Sequence, residues 1–353
     1  MNKINHIITS VQRKSPTQGP ALRDSLLWFR LMLVSLRDNF QPMGQYALLL
    51  ILISGLLNPI QTGVNSTLRG RLRTPILSST VSFIIGLTCL SILTLATCGR
   101  LFPEMEVQGQ LPWWAWGGGV MGAIGLTGNI LLFPKLGGVL TVLFPMLGQI
   151  AMSVMIDSFG WFGTSAIPLD AGRITGLCLV IGGLLLYMVD KSGQNGKMGR
   201  SALLWSLGGI MSGFTFAIQP VMNGKLAVAF SSPIQSAFIS FLTSTAILVT
   251  LVLLIPSERH NIPLVRKTGG PWWLWTGGLI GAGYVASFAL VTPMTGVGMV
   301  TLVGILGMTA GGVIVDSRGM FGRDARKIRP LQYLGLVLLL SGVVLIKATE
   351  ISG

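Results

Sequence analysis

Charge is scarce in this chain. Of its 353 residues only 10% are charged, against about 25% in an ordinary soluble domain. A water-soluble globular fold is excluded on that ground. Histidine is nearly missing: His6 and His260 are the only two, both outside the apolar runs, so a histidine-built metal site is not expected. The three cysteines, Cys89, Cys98 and Cys178, form no CxxC and no disulfide framework. There is no Ser/His/Asp or Cys/His set and no GxxxxGK[ST] phosphate loop. An enzyme would have no parts to work with, and no cofactor is expected. Alternation of apolar and polar residues over about ten positions is also missing, which excludes a transmembrane barrel.

What is present is apolar. Hydrophobic residues make up 51% of the chain, in runs of roughly the 20 residues that cross a bilayer core. The fold class expected is an all-α polytopic membrane protein of about ten transmembrane helices. The spans fall near 45–65, 76–98, 113–133, 139–156, 172–189, 202–222, 234–255, 272–291, 297–315 and 331–346. Glycine is abundant, 47 residues. The GxxxG pairs Gly118/Gly122 and Gly277/Gly281 read as close helix packing. The net charge of +14 sits in the tail and loops, with no soluble basic domain to hold nucleic acid. The partners expected are the lipid bilayer and a small-molecule substrate, and a homo-oligomer is left open.

Residues 1–43 stand apart. They hold six Lys/Arg, and Arg30 breaks an apolar stretch too short to span. The segment reads equally as a surface-lying amphipathic helix or a disordered tail, and Met43, just before the first span, offers an alternative start.

The rest of the chain is written twice. Gln61 and Asn65 recur as Gln219 and Asn223, Pro75 as Pro233, and Ser82-Phe83 as Ser240-Phe241, each 158 residues on. After one inserted residue the offset is 159. Pro112-Trp113-Trp114 answers to Pro271-Trp272-Trp273, Pro134 to Pro293, and Asp157-Ser158 to Asp316-Ser317. The organisation is repeat one at 44–190, a polar linker at 191–201, repeat two at 202–347 and a short tail at 348–353. Five spans per copy is an odd number. The second copy must therefore enter the membrane inverted, the design of secondary transporters that rock about a midplane site. Orientation stays open: with a cytoplasmic amino end the inside would carry ten Lys/Arg and the outside fifteen. The loops alone favour an external amino end.

Amides in apolar spans must face the bundle interior or a cavity. Gln61/Asn65 and Gln219/Asn223 share a helical face at i, i+4. They read either as substrate-binding prongs, one from each half, or as interhelical hydrogen bonds worth about 0.6 kcal/mol. The asparagines lean towards helix-end structure. Asn65-Ser66-Thr67 matches a glycosylation pattern but abuts the membrane. Asn58, Asn129 and Gln149 of copy one are replaced by Phe216, Phe288 and Met308, and Tyr284 stands where copy one has Gly125. The substrate-binding candidates are thus Gln61, Asn65, Gln219, Asn223, Asn129, Gln149 and Tyr284. Packing drift after duplication is the alternative. Asp157 and Asp316 precede glycine at helix ends and read as turn or cap residues, or as a proton relay. Pro59, Pro145 and Pro220 should kink their helices. Lys135, answered by Met294, could snorkel to the interface or attract an anion.

Three doubled motifs resemble the drug/metabolite transporter superfamily, above all its YdcZ-like branch in a tandem-fused form. They are QxxxN at 61–65 and 219–223, PxxG at 134–137 and 293–296, and DxxGxFG as DSFGWFG at 157–163 and DSRGMFG at 316–322. The resemblance covers about 45–347. It implies a cytoplasmic-membrane transporter with a cavity between inverted halves, and it implies cytoplasmic ends. The functions to weigh are a secondary transporter of a small metabolite or amphipathic drug-like solute, a lipid-linked-substrate translocase, and a non-transporting membrane scaffold or partner subunit.

Overall fold

The computed structural model describes residues 44–352, apart from 104–110, 138, 164–165, 167–169, 193–199, 296, 323 and 326–327. The readings made for 1–43 lie outside them. Ten long helices carry the described chain. Repeat one holds α1 (Gly44–Leu72), α2 (Pro75–Cys98), α3 (Gly118–Leu136), α4 (Leu140–Phe159) and α5 (Ala171–Ser192). Repeat two holds α6 (Arg200–Ala229), α7 (Pro233–Leu254), α8 (Gly277–Thr295), α9 (Val297–Ser317) and α10 (Pro330–Ser352). Short helical turns, Trp113–Gly117 and Trp272–Trp275, lead into α3 and α8. Among the described residues α1, α2, α3 with its leading turn, and α7 are long and apolar enough to cross a membrane, and α4, α5, α8, α9 and α10 contribute shorter apolar stretches.

Two boundaries differ from the hydropathy reading. The first helix of each repeat runs about two turns past the expected ends at 65 and 222, to Leu72 and Ala229. Loss of hydrophobicity does not stop a helix that packs against neighbours. A proline does, because the residue before it is pushed out of the helical region. Thr74 before Pro75 has φ −137°, and Ser232 before Pro233 has φ −149°. The turns just ahead use Arg73 at φ 64° and Ser231 at φ 49°, equivalent positions of the two copies. At the other end, the tail expected at 348–353 is helical through Ser352, since nothing after Ile346 breaks α10.

The packing shows the inversion directly. The fifth helices meet glycine to glycine: a Cβ built on Gly176 would lie 2.8 Å from the Gly342 carbonyl oxygen, and one on Gly335 would lie 2.7 Å from that of Gly183. Low numbers of α5 thus face high numbers of α10, so these equivalent helices run antiparallel. Gly335 is the copy of Gly176 and Gly342 the copy of Gly183, so a twofold exchange turns each contact into the other. Phe83 and Phe241, also equivalent, touch across the axis with ring centroids 4.9 Å apart.

The first helix of each repeat lies between the third and fourth of the other. Gly55 of α1 packs on Gly304 and Gly307 of α9, as Gly213 of α6 packs on Pro145 and Gln149 of α4. The two faces of the bundle can be followed through short links. Glu258, on the turn Pro256–His260, accepts the Leu77 N–H at the start of α2 (2.9 Å). Gln235 at the start of α7 donates to the Leu101 carbonyl beyond α2 (3.0 Å). We call the face where α1 ends face two, and the face where α1 begins face one. Exposed Arg71, Arg73, Lys135, Arg259, Arg266 and Lys267 line face two. Trp113 and Trp272 are 86% and 79% exposed at opposite faces, the headgroup depth that tryptophan favours.

The interior is where the polar groups are. Ser78, Ser79, Ser240 and Asn65 are buried while Ile92 and Leu254 are exposed, as suits a bundle whose solvent is lipid. Hydroxyls within helices return their protons to the preceding turn, as Thr80 does to the Ile76 carbonyl (2.8 Å) and Thr245 to that of Phe241.

Candidate functional site: two crossed amide clasps

Each QxxxN pair docks on a glycine track of the other repeat. On α1, the Asn65 side-chain oxygen lies against the Cα of Gly277 and Gln61 lies against Gly281, both glycines of α8. On α6, Asn223 lies against Gly118 of α3, and the Gln219 Nε2 would be 2.6 Å from a Cβ on Gly122. The next glycine completes each track. Gly278 meets the α2 backbone at Ser82 to Gly86, and Gly119 meets that of α7 at Ser240 to Ser244. Ser244 also donates to the Gly119 carbonyl (2.7 Å). The GxxxG pairs are therefore seats for the amides rather than general packing, and their lack of side chains makes the seat.

The asparagines are not at helix ends. Asn65 is seven residues inside α1, only 1% exposed, so glycosylation there is out of reach. Its main-chain carbonyl accepts from Ser78 Oγ (2.8 Å), and that of Asn223 accepts from Ser236 Oγ (2.6 Å). Neither Oδ1 nor Nδ2 of Asn65, nor Oδ1 of Asn223, has a conventional hydrogen-bond partner. The contact of Oδ1 with a glycine Cα is of the weak C–H···O kind, about 0.5–1 kcal/mol. A clasp held by such contacts fits closely yet parts at low cost. Gln61 and Gln219 thus do not converge on one shared point. They sit on α8 and on α3, in the halves of the bundle nearer face two and face one respectively.

The remaining candidates lie towards the middle. Asn129 on α3 is buried, with Oδ1 lacking a hydrogen-bond partner. Gln149 on α4 is half-buried, its backbone against Gly213. Tyr284 on α8 packs on Phe288 with centroids 4.3 Å apart and planes tilted by 32°, and Phe288 in turn rests against Gly304 of α9. The divergence between copies has a volume logic at one crossing. Phe216 of α6 fills the space beside Gly125, its ring 2.9 Å from where a Cβ would stand. At the equivalent positions the sizes are exchanged, Tyr284 standing for Gly125 and Asn58 for Phe216.

The DxxGxFG motif resolves into three parts. Asp316 at the end of α9 accepts the Val139 N–H at the start of α4 (3.0 Å), capping a helix of the other repeat. The side chain of Asp157 lies outside the described residues. Gly160, Phe162 and Gly163 have φ of 64°, 59° and 72°, and Gly319, Phe321 and Gly322 have 59°, 60° and 73°. A left-handed phenylalanine is strained. The turn holds it so that Phe162 meets Trp114 edge-on at 5.3 Å and Phe321 meets Trp273 at 6.0 Å. Phe321 also reaches Phe133 at 6.1 Å and covers Gly63 of α1.

Of the prolines, Pro59, Pro145 and Pro220 lie inside helices, and Pro134 does so as well, because α3 continues to Leu136. Pro134 cannot bond the Ile130 carbonyl, and Arg69 of α1 approaches that oxygen at 3.5 Å. Lys135 places its ammonium 5.8 Å from the Trp205 ring centroid. Ser78 and Ser236 were legible as a further pair 158 residues apart. Glu258 and Arg69 had no such signal, since neither has a like residue in the other copy.

A family model described as "Putative inner membrane exporter, YdcZ" matches residues 46–186 and again 204–345. The chain belongs to this family. It carries the YdcZ unit twice, and it is a multi-pass protein of the inner membrane. No curated protein matches the chain. A solved crystal structure described only as "Crystal structure of protein" superposes with a TM-score of 0.50. It covers 84% of this chain and 95% of that one at 15% identity, a likeness of fold alone.

Proposed function

We propose that this YdcZ-family chain exports a small amphipathic or partly aromatic solute by alternating access, its two halves rocking about a site at the bundle middle. The observation that carries the reading is the exchange-symmetric crossing of the halves. The first helix of each is seated between the third and fourth helices of the other, so the two ends of the bundle are closed by equivalent contacts. Two conformations related by the same pseudo-twofold are then of similar energy, which is what alternating access requires.

In this reading Asn129, Gln149 and Tyr284 are the solute contacts. The unpartnered Asn129 Oδ1 offers a polar anchor, and the Tyr284–Phe288 pair offers an aromatic wall, the mixture that ligand sites use. Asp316 serves in this reading as the cap of α4. The test is a solute-level comparison between cells making the wild-type chain and cells making Asn129→Leu, Gln149→Leu or Tyr284→Leu at equal membrane abundance. Each variant should lose most of any wild-type change in the outside-to-inside ratio of a solute. Wild-type ratios in all three variants would remove these residues from the site.

A further inference from the structure

We infer that the two amide clasps are the gates of this transporter, and that they open reciprocally. The inference rests on the alternating-access reading above and deepens it by naming what closes each end.

The positions decide the assignment. The α1 clasp, Gln61 and Asn65 on Gly281 and Gly277, lies in the half of the bundle nearer face two. The α6 clasp, Gln219 and Asn223 on Gly122 and Gly118, lies in the half nearer face one. Both clasps are engaged in this structure. A latch that only fastened the fold would be expected to satisfy its amides. Asn65 instead keeps both side-chain polar atoms without a partner at 1% exposure. Unpaired polar groups buried in a bundle are costly, and parting the clasp lets water reach them. Each clasp carries a second orphan beside it, the hydroxyl of Ser82 next to Gly278 and that of Ser240 next to Gly119. A closed clasp is thus held by fit and opposed by polar desolvation, a balance suited to a part that must open. Alternating access opens one end only while the other is closed, so under that reading the two equivalent clasps open in turn and never together.

Ser82 and Ser240 serve as reporters, being 2% exposed each and equivalent. In a background lacking Cys89, Cys98 and Cys178, Ser82→Cys or Ser240→Cys is labelled with a charged, membrane-impermeant maleimide in vesicles of both orientations. Loosening the α1 clasp with Gln61→Ala and Asn65→Ala should raise Ser82→Cys labelling about three-fold, taking roughly one average interhelical contact, and should lower labelling of Ser240→Cys. Gln219→Ala with Asn223→Ala should do the reverse. A Gln61→Cys/Gly281→Cys disulfide, which adds a constraint rather than removing one, should abolish Ser82→Cys labelling and raise that of Ser240→Cys. Labelling that rises at both reporters, or changes only at the perturbed clasp, overturns the inference. The readout needs no solute. If export is seen without reciprocity, only the gates fail. If reciprocity is seen without any exported solute, it is the transport reading that fails.

Discussion

Replacing Gly278 by alanine tests the crossing of the halves at its tightest point. A Cβ there would overlap the Ser82 carbonyl oxygen and stand 2.9 Å from Ile85 Cβ and 3.0 Å from Gly86 N. Those atoms belong to the α2 backbone or to its first side-chain carbon, so no flexible tip can move aside and the helices must part. Overpacking of this kind costs about 1–3 kcal/mol. Gly283, five residues on in the same helix, has nothing within 4 Å of its Cβ position. There, alanine gains about 0.5–1 kcal/mol of backbone entropy. Both changes enjoy that gain, so the two variants should differ by about the overpacking cost alone, roughly 5- to 150-fold in the folded-to-unfolded ratio. Unfolding in mixed micelles by titrated SDS, followed by tryptophan fluorescence, reads the difference. If Gly278→Ala and Gly283→Ala unfold together, α2 and α8 are not in backbone contact and the crossing is misplaced.

Three further outcomes follow from other contacts. Glu258→Ala should lower stability by about 1 kcal/mol in the same assay, through loss of the acceptor for the Leu77 N–H, and Glu258→Gln should lose less. Phe321→Gly should be more stable than Phe321→Ala by about 1 kcal/mol, the reverse of the usual order, because φ is 60° there; an Ala variant at least as stable would place Phe321 elsewhere. Gly176→Cys paired with Gly342→Cys should cross-link under mild oxidation, while Gly176→Cys with Gly335→Cys should not. The opposite pattern would mean that α5 and α10 run parallel and the repeats are not inverted.

Much of the architecture was legible because duplication writes the same signal twice. Two copies of five apolar runs imply the helix count and the inversion, and the offsets of 158 and 159 identify the equivalent residues. Helix ends were less legible. Hydropathy placed Asn65 and Asn223 at the membrane edge, whereas Pro75 and Pro233 set the ends of α1 and α6 two turns later. The amides were identifiable as interior groups, but not their seats. Gly277/Gly281 and Gly118/Gly122 lie far along the chain from the residues they receive, and sequence spacing carries no cross-repeat pairing. The same holds for Asp316, whose partner, the Val139 N–H, lies 177 residues away. Phe162 and Phe321 were visible only as part of a motif, because a left-handed backbone at phenylalanine is imposed by the surrounding turn and not by its own preference.

An exporter of this kind must move a solute outward across the inner membrane. Comparative metabolite profiling, inside and outside cells with and without overproduction of the chain, tests it most directly. The Gln61→Cys/Gly281→Cys protein serves as control, oxidised so that its α1 clasp is locked shut. At least one small amphipathic or aromatic solute should fall inside and rise outside when the wild-type chain is made, and the locked protein should leave it unchanged. Identical profiles for the wild-type chain, the locked protein and the empty membrane would contradict export.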